Sequence, residues 1–243
     1  MTNSLFEGRE GPAWEILNEL YTTKRAADLS GQIHDLETAG VAQSTGLLLY
    51  NLVREYRPRT TIETGFAFGY STLYILQALT DNGVGVHEAI DPVETSRWHG
   101  IGLANVRRAG FNRIFKHLEM LSSLALPSHY INGDRFDFAF VDGSHLFDDT
   151  LIDAYYVDKL LADGGIMVLD DWHWMPAVRA VASFIEKNWA YRLISAPEAP
   201  NVRVYQKLEQ TQRTWDHFAQ FEVTSYDELR KAKLAAACAS AST

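Results

Sequence analysis

The sequence predicts an α/β fold: a Rossmann-like, doubly wound and mostly parallel sheet with an antiparallel closing strand and additional N-terminal helices. The first observation behind this prediction is the stretch 60–79, in which a β-branched run is followed by two glycines and an apolar helix. A strand, a glycine turn and a helix in this order form the first unit of a nucleotide-binding α/β sheet. The second observation is the apolar run 136–141, which is typical of a central strand buried on both faces.

The chain has the size of one large α/β domain. It contains 243 residues, of which 47% are hydrophobic, and this is enough apolar material for a sizeable core. We expect residues 1–57 to form a helical cap within the same domain and residues 58–210 to form the core that contains the sheet. Residues 211–243 are expected to form a helical, partly disordered tail.

The composition argues against several classes of protein. The formal net charge is -9, whereas a protein that follows a nucleic acid backbone is usually basic. Cys238 is the only cysteine, so no disulfide can form within the chain, which fits a reducing setting. We find no signal-peptide pattern and no run of about 18 apolar residues that would span a bilayer. We therefore expect a cytoplasmic homo-oligomer that acts on a small molecule, with no nucleic acid or membrane partner.

The remaining elements follow the alternation of strands and helices that such a sheet requires. Residues 12–57 read as helical, with one helix starting at Pro12 and another ending before Pro58, because the residue ahead of a proline disfavours the α region. Further strands are expected at residues 84–90, 113–117 and 166–169, followed by a closing pair at 191–195 and 201–207. Further helices are expected at residues 96–109, 147–162, 178–189 and from 213 onward.

The glycine turn of the first unit carries the groups of a ligand site. Glu63 ends the strand, Gly65 and Gly69 follow, and Ser71 opens the helix. Glycines let the backbone approach a ligand closely, and the free N–H groups of a helix start favour anionic groups. The spacing Gly-x-x-x-Gly differs from the Gly-x-Gly-x-x-Gly of dinucleotide enzymes and therefore disfavours NAD. Asp91, at the end of the second strand, is placed to bind ribose hydroxyls, and its alternative role is to cap the segment that follows.

Three acids follow the fourth and fifth strands of the predicted sheet, namely Asp142, Asp170 and Asp171. If these strands are neighbours, their ends lie about 5 Å apart. A pair of carboxylates at 4 Å repels by about 4 kcal/mol at an effective dielectric constant of 20, so a compensating charge is needed. An oxygen-only ligand set suits Mg²⁺. The alternative is that Asp171 caps a helix start while Asp170 faces solvent.

His145 lies three residues beyond Asp142 and is the candidate general base. An unperturbed histidine pKa of roughly 6.5 suits proton removal from a substrate hydroxyl near neutral pH. A lone histidine on a loop is more often a hydrogen-bonding residue. His173 is the second candidate and, with Trp172 and Trp174, is expected to line an acceptor pocket. Phe66 and Phe68 are expected either to join these walls or to belong to the core.

The combined pattern resembles the class I S-adenosylmethionine-dependent methyltransferases. It is most similar to the metal-dependent small-molecule O-methyltransferases, both the catechol enzymes and the bacterial enzymes that methylate sugars of antibiotics. The glycine turn resembles the first motif of that family, and residues 46–71 match the catechol enzymes almost position by position. The resemblance covers roughly residues 40–207, which makes 58–210 a cofactor-binding methyltransferase core.

The resemblance implies roles for individual residues. Glu63 and Gly65 would hold the methionine end of S-adenosylmethionine, with Ser71 at its carboxylate. Asp142, Asp170 and Asp171 would be the metal ligands, and His145 falls where the catechol enzymes have a catalytic lysine. The full implied set of cofactor-binding residues is Val41, Glu63, Gly65, Gly69, Ser71, Asp91, Ser122, Ser123 and Asp142.

The activity expected from these residues is Mg²⁺-assisted transfer of a methyl group to a hydroxyl of a small molecule, either a catechol or a sugar diol. In this reading Asp142 and His145 are the catalytic residues. Three alternatives remain: an NAD-linked oxidoreductase, a non-catalytic module that binds S-adenosylmethionine, and a relative that hydroxylates its substrate. The residues do not identify the acceptor.

Overall fold

The computed structural model describes residues 5–36, 40–225 and 227–228. A two-stranded hairpin precedes a larger sheet of seven strands. The hairpin strands are β1 (Arg25–Ala27) and β2 (Ile33–Asp35), and the larger sheet contains β3 (Thr60–Thr64), β4 (Val86–Ile90), β5 (Phe115–Leu118), β6 (Phe136–Val141), β7 (Leu161–Leu169), β8 (Tyr191–Ile194) and β9 (Arg203–Lys207).

The strand order in the larger sheet is β5-β4-β3-β6-β7-β9-β8. The pairs β3–β4, β3–β6, β4–β5 and β6–β7 are parallel, whereas β9 runs antiparallel to both β7 and β8. The predicted doubly wound sheet with an antiparallel closing strand is therefore confirmed. From β3 the chain extends the sheet through β4 to β5, and β6 then lies on the other side of β3. The carboxyl ends of β3 and β6 therefore flank the point at which the strand order reverses, where ligands bind in such sheets.

Helices cover both faces of the sheet. They are α1 (Pro12–Thr23), α2 (Gln43–Tyr56), α3 (Tyr70–Asn82), α4 (Ile101–Arg108), α5 (Ser122–Asn132), α6 (Phe147–Leu160) and α7 (Pro176–Asn188). Along β6, Phe138 and Phe140 join the core beneath α1 to α4, and Ala139 and Val141 join the core beneath α5 to α7. This alternation follows from the period of two in a strand, and it explains why β6 reads as a continuous apolar run.

The structure differs from the predicted elements in several places. Residues 12–57 are not helical throughout, because α1 ends at Lys24 in the left-handed region (φ 55°) and the β1–β2 hairpin follows. Helix α5 was not predicted, and Pro127 lies inside it. Helix α4 begins only at Ile101, after His99 and Gly100, which both have positive φ.

The expected helix from residue 213 onward is wrong over residues 213–225, whereas residues 227–228 are helical. Residues 213–225 form a turn and irregular backbone, and residues 229–243 lie outside the described ranges. No helix in the described part of the chain is long and apolar enough to span a bilayer. The boundaries at residues 57 and 210 stay predictions.

The strand register brings the acidic strand ends to one edge of the sheet. Thr64 pairs with Ile90 on one side and with Val141 on the other, and Val141 pairs with Leu169. The next residues continue this pattern through their backbone, since Asp142 N–H donates to Thr64 O (2.9 Å) and Asp170 N–H donates to Val141 O (3.1 Å). The predicted neighbour relation between the fourth and fifth core strands, β6 and β7, is confirmed.

Candidate active site

The turn between β3 and α3 packs directly against the end of β6. Gly65 has φ 88° and Gly69 has φ 79°, which is backbone that residues with a side chain rarely adopt. A Cβ at residue 65 would lie only 2.1 Å from the backbone oxygen of Asp142. Glycine is therefore required here because two strand ends meet at this point.

Asp91 holds the glycine turn in place. Its Oδ2 accepts hydrogen bonds from the N–H groups of Phe66 (3.1 Å) and Ala67 (3.0 Å), while its Oδ1 accepts one from Val93 N–H (2.9 Å). The side chain is buried. Asp91 thus binds the backbone that follows it, as the alternative prediction stated, and it also binds the backbone of the glycine turn.

Glu63 is fully buried at the end of β3. Its Oε1 accepts a hydrogen bond from the hydroxyl of Thr72 and lies 3.1 Å from Nε2 of His87, a residue of β4. Its Oε2 has no hydrogen-bond partner. Sequence reasoning missed His87, although its position two residues after Gly85 on a predicted strand placed it beside β3.

Polar side chains also lie beneath the end of β3 on the α5 side. Ser122 and Ser123 are the first two residues of α5 and are partly buried. Burial raises the pKa of the Asp153 carboxyl in α6 to about 6, while the hydroxyls of Ser122 and Thr64 oppose that rise. On the other side of the sheet, Val41 is buried and its carbonyl oxygen accepts the Tyr21 hydroxyl (2.8 Å).

Three side chains at the ends of β6 and β7 form a group that could hold a metal ion. One ligand atom each from Asp142, His145 and Asp171 lie within 4.8 Å of one another. Nε2 of His145 lies 2.6 Å from Oδ2 of Asp171 and 3.8 Å from Oδ1 of Asp142. Two of the three predicted metal ligands are thus together, with the candidate base between them.

Asp170 stays outside this group of three. Its Oδ1 accepts hydrogen bonds from Asp171 N–H (2.8 Å) and from Nδ2 of Asn201 (2.9 Å). The same Nδ2 donates to Oδ1 of Asp171 (2.9 Å), which also accepts from Nε1 of Trp174 (2.7 Å). Asn201 was not predicted as a site residue; its signal was its place just ahead of the antiparallel strand beside β7.

The charges of the group act strongly on one another. Burial raises the pKa of Asp142 to about 6, although His145 opposes the rise, and it also raises the pKa of Asp170. Burial would raise the pKa of Asp171 as well, but hydrogen bonds from His145 and Asn201 lower it overall. The acids Asp142 and Asp171 raise the pKa of His145 to about 10. In this arrangement the neighbouring acids favour the protonated imidazole, whereas the prediction assumed an unperturbed pKa.

The structure places only two of the three predicted acceptor residues at one cavity. Trp172 and His173 line a cavity of about 350 Å³ whose other wall is formed by residues 193–197, 200, 202 and 203. Trp174 is 40% exposed and does not line it. The guanidinium of Arg203 lies 3.2 Å from the ring centroid of Trp172. Phe66 and Phe68 are buried in the core beneath α1 to α4.

Comparisons with known proteins agree with this arrangement. A family model described as a methyltransferase domain matches residues 62–172. A probable caffeoyl-CoA O-methyltransferase of Arabidopsis thaliana is 33% identical over 156 residues, which cover 60% of this chain and 63% of that protein. A caffeoyl-CoA O-methyltransferase of Stellaria longipes is 28% identical over 168 residues, which cover 64% and 65% of the two chains. The chain thus spans less than two thirds of the length of these two curated relatives.

Solved structures share the fold over most of their length. The O-methyltransferase TomG of Streptomyces achromogenes, in complex with S-adenosylmethionine, has a TM-score of 0.62 at 19% identity and covers 83% of this chain and 92% of its own. An O-methyltransferase of Bacillus cereus, in complex with S-adenosylhomocysteine, has a TM-score of 0.59 at 17% identity and covers 84% and 94%.

The sheet order, the glycine turn and the acids at the strand ends define a Rossmann-like methyltransferase domain. Residues 62–172 match a methyltransferase domain, and the chain has the fold of solved S-adenosylmethionine-dependent methyltransferases. The resemblance identified from the residues alone is thereby confirmed.

Proposed function

We propose that this protein is an O-methyltransferase that uses S-adenosylmethionine and a divalent cation, Mg²⁺ in the first instance, to methylate a hydroxyl of a small molecule. The observation that carries this proposal is that Asp142, His145 and Asp171 come together at the ends of β6 and β7. The end of β6 also packs against Gly65 of the glycine turn. The relatives named as O-methyltransferases and the fold neighbours bound to the cofactor or its product support it.

The residues around the glycine turn suit the cofactor. S-adenosylmethionine supplies an electrophilic methyl group bound to a sulfonium. Glu63 has a buried oxygen without a donor, which fits a ligand that brings an ammonium group. The free N–H groups at the start of α3, next to Ser71, fit a carboxylate. The proposed set is Val41, Glu63, Gly65, Gly69, Ser71, Asp91, Ser122, Ser123 and Asp142.

The acids at the ends of β6 and β7 fit a hard divalent cation. Asp142 and Asp171 present carboxylate oxygens to one point, and the Asp170 carboxyl lies beside Asp171. In the described residues, His145 is the only basic side chain in contact with this group. Carboxylate oxygens are preferred ligands of Mg²⁺. When bound, such a cation polarises a coordinated acceptor hydroxyl and lowers its pKa.

His145 is the proposed proton acceptor for the reacting hydroxyl. Its proton is held by the charges of Asp142 and Asp171, so the imidazole becomes available as a base only when those charges are balanced in another way. The carboxylates would be balanced in the loaded enzyme by the cation. In this proposal His145 lies beside the acceptor, and the charges of the neighbouring acids determine its pKa.

The acceptor is proposed to bind beside these residues. Trp172, His173 and Trp174 directly follow the acids, and the first two line the adjoining cavity. Apolar walls exclude water from the transferred methyl group, and positioning of the two reactants can lower the barrier by about 7–11 kcal/mol. A catechol or a sugar diol suits the site because two adjacent oxygens can meet one cation.

Two experiments test the proposal. Isothermal titration with S-adenosylhomocysteine and with NADH separates a methyltransferase from an oxidoreductase, and we expect binding of the former alone. Methyl transfer to a catechol or a vicinal diol is then measured by mass spectrometry with EDTA and with Mg²⁺ added back. Activity that is indifferent to chelation would remove the cation from the proposal. The homo-oligomeric state and the cytoplasmic location stay predictions.

A further inference from the structure

Glu63 and His87 form a buried pair whose contacts are incomplete. Both side chains are fully shielded from solvent, and the closest approach between them is 3.1 Å from Nε2 to Oε1. Neither Nε2 of His87 nor Oε2 of Glu63 makes a hydrogen bond in the described part of the chain. Buried polar atoms are nearly always paired, and one without a partner calls for a specific reason.

The neighbouring contacts fix where the protons lie. A carboxylate oxygen can only accept, so Nε2 of His87, which lies 3.1 Å from Oε1 of Glu63, carries a hydrogen. Nδ1 is then an acceptor, and the hydroxyl of Thr61 donates its one proton to it at 2.8 Å rather than to Val86 O at 3.1 Å. On the other side of the pair, the hydroxyl of Thr72 donates to Oε1 of Glu63. The imidazole is thus anchored on β3, and Oε1 is held between Thr72 and His87.

This arrangement leaves Oε2 as the one carboxylate oxygen of Glu63 that is free to accept a hydrogen bond. We propose that His87 is a positioning residue for the methionine end of the cofactor: with Thr72 it holds Oε1, so that Oε2 is presented to the ammonium group. This inference rests on the proposed function, because it concerns the same cofactor. It adds a residue of β4, two positions after Gly85, to a site otherwise built from β3 and the glycine turn.

A second histidine–glutamate pair in the protein serves as a matched comparison. Glu88 is the next residue along β4, and its Oε1 lies 2.6 Å from Nε2 of His129. The other ring nitrogen of His129 lies 2.7 Å from Oδ2 of Asp134, and Glu88 also pairs with Lys116 at 2.7 Å. No ring or carboxylate atom of this second pair is orphaned. It therefore resembles the first pair chemically without offering an atom to a ligand.

The test compares two ligands that differ at the methionine end. S-adenosylhomocysteine carries the ammonium and carboxylate groups, whereas 5′-methylthioadenosine lacks both. We expect His87→Leu to raise the Kd of the full-length protein for S-adenosylhomocysteine about tenfold, the effect of losing one polar contact to a charged group, and to leave the Kd for 5′-methylthioadenosine unchanged. His87→Gln retains a side-chain N–H donor and is expected to recover most of the affinity. His129→Leu is expected to leave the ratio of the two constants unchanged.

Equal weakening of both ligands by His87→Leu, or no weakening, would overturn the role of His87. If wild-type protein bound neither ligand, the proposed function itself would fail, together with this inference. Should His87→Leu not fold, Thr72→Val removes the other group that holds Oε1 and is expected to give the same selective loss. An unchanged ratio of the two constants in Thr72→Val would also overturn the inference.

Discussion

Aspartates follow β4 and β6, the two strands that flank β3, and the surroundings of these aspartates differ sharply. Asp91, after β4, accepts hydrogen bonds from three backbone N–H groups at 2.9–3.1 Å. Asp142, after β6, receives no comparable backbone donors from the described residues, and burial raises its pKa to about 6. The comparison teaches that an acid at a strand end stabilises the local backbone where N–H groups converge on it. Where they do not, its charge needs another partner, and for Asp142 the neighbouring group is the imidazole of His145.

The turns that follow the strands explain the difference. After β3, the glycine turn directs the N–H groups of Phe66 and Ala67 towards Asp91, and Ala67 takes up a positive φ of 45° to do so. After β7, Asp171 itself has a positive φ of 59°, which brings its carboxylate next to His145. The first geometry satisfies an acid with backbone dipoles, whereas the second gathers charged side chains.

The largest effect that would test this comparison is expected for Asp142→Asn. Removal of this charge should lower kcat at least a hundredfold and abolish stimulation by Mg²⁺, because an amide is a weaker ligand for a hard cation. Steady-state methyl transfer measured against Mg²⁺ concentration checks this expectation. Asp148→Asn, an exposed acid in the first turn of α6, is the matched control and should behave like wild type.

An effect of intermediate size is expected for Glu94, which is fully buried. Its Oε1 accepts a hydrogen bond from Leu103 N–H (3.1 Å), whereas its Oε2 has no partner among the described residues. Burial raises its pKa from 4.5 to about 8. Between these values the folded protein binds more protons than the unfolded chain, so this group lowers stability as pH rises through the window. Glu94→Gln should therefore be more stable than wild type at pH 8 by about 4 kcal/mol and nearly equal to it at pH 4.5.

Urea denaturation of both proteins at several pH values measures this difference. The expectation for Glu94 is wrong if the two stability profiles run parallel from pH 4.5 to pH 8. Such a result would show that one backbone donor is enough to keep a buried acid ionised, and it would weaken the contrast between Asp91 and Asp142.

Addition of a divalent cation is expected to stabilise the folded protein. At a concentration one hundred times its Kd, Mg²⁺ should raise the free energy of unfolding by about 2.7 kcal/mol, because it binds the folded state alone. For a protein of this size this corresponds to a rise in Tm of about 5–10 °C. Differential scanning fluorimetry with EDTA and with Mg²⁺ measures the shift. The same rise in Asp171→Asn would show that the ion binds elsewhere.

The smallest effect is expected for Asp91→Asn. An amide can accept the N–H groups on one side only, so either Val93 or the glycine turn loses its acceptor, at a cost of about 1–2 kcal/mol. We expect a lower Tm and a raised KM for the cofactor, while the dependence of the rate on Mg²⁺ stays as in wild type. A change in that dependence would contradict the division of roles between the two regions.

The sequence predicted the parts of the site that depend on strand ends. The apolar run of β6 and the acids after β6 and β7 were sufficient, because parallel strands place their carboxyl ends at one edge of the sheet. The sequence predicted that these acids lie together, but not which side chains make direct contact. The backbone turn at Asp171 determines that His145 joins the group and that Asp170 does not. No local pattern contains this information.

The parts that were missed depend on pairing between distant segments. His87 becomes significant only because β4 lies beside β3, and Asn201 only because β9 runs antiparallel to β7. Helix α5 was missed because Pro127 argues against a helix interior, although Leu124, Ala125 and Leu126 ahead of it are apolar. The hairpin β1–β2 was missed because the strands are only three residues long.

The contact between Gly65 and the backbone oxygen of Asp142 links the two halves of the site mechanically. A single methyl group at residue 65 would fall within 2.1 Å of that oxygen and push the two strand ends apart. Substitution there would therefore displace the glycine turn and the backbone that carries Asp142 together. The residues that line the cavity beside Trp172 take no part in this contact, so a change among them would leave it intact.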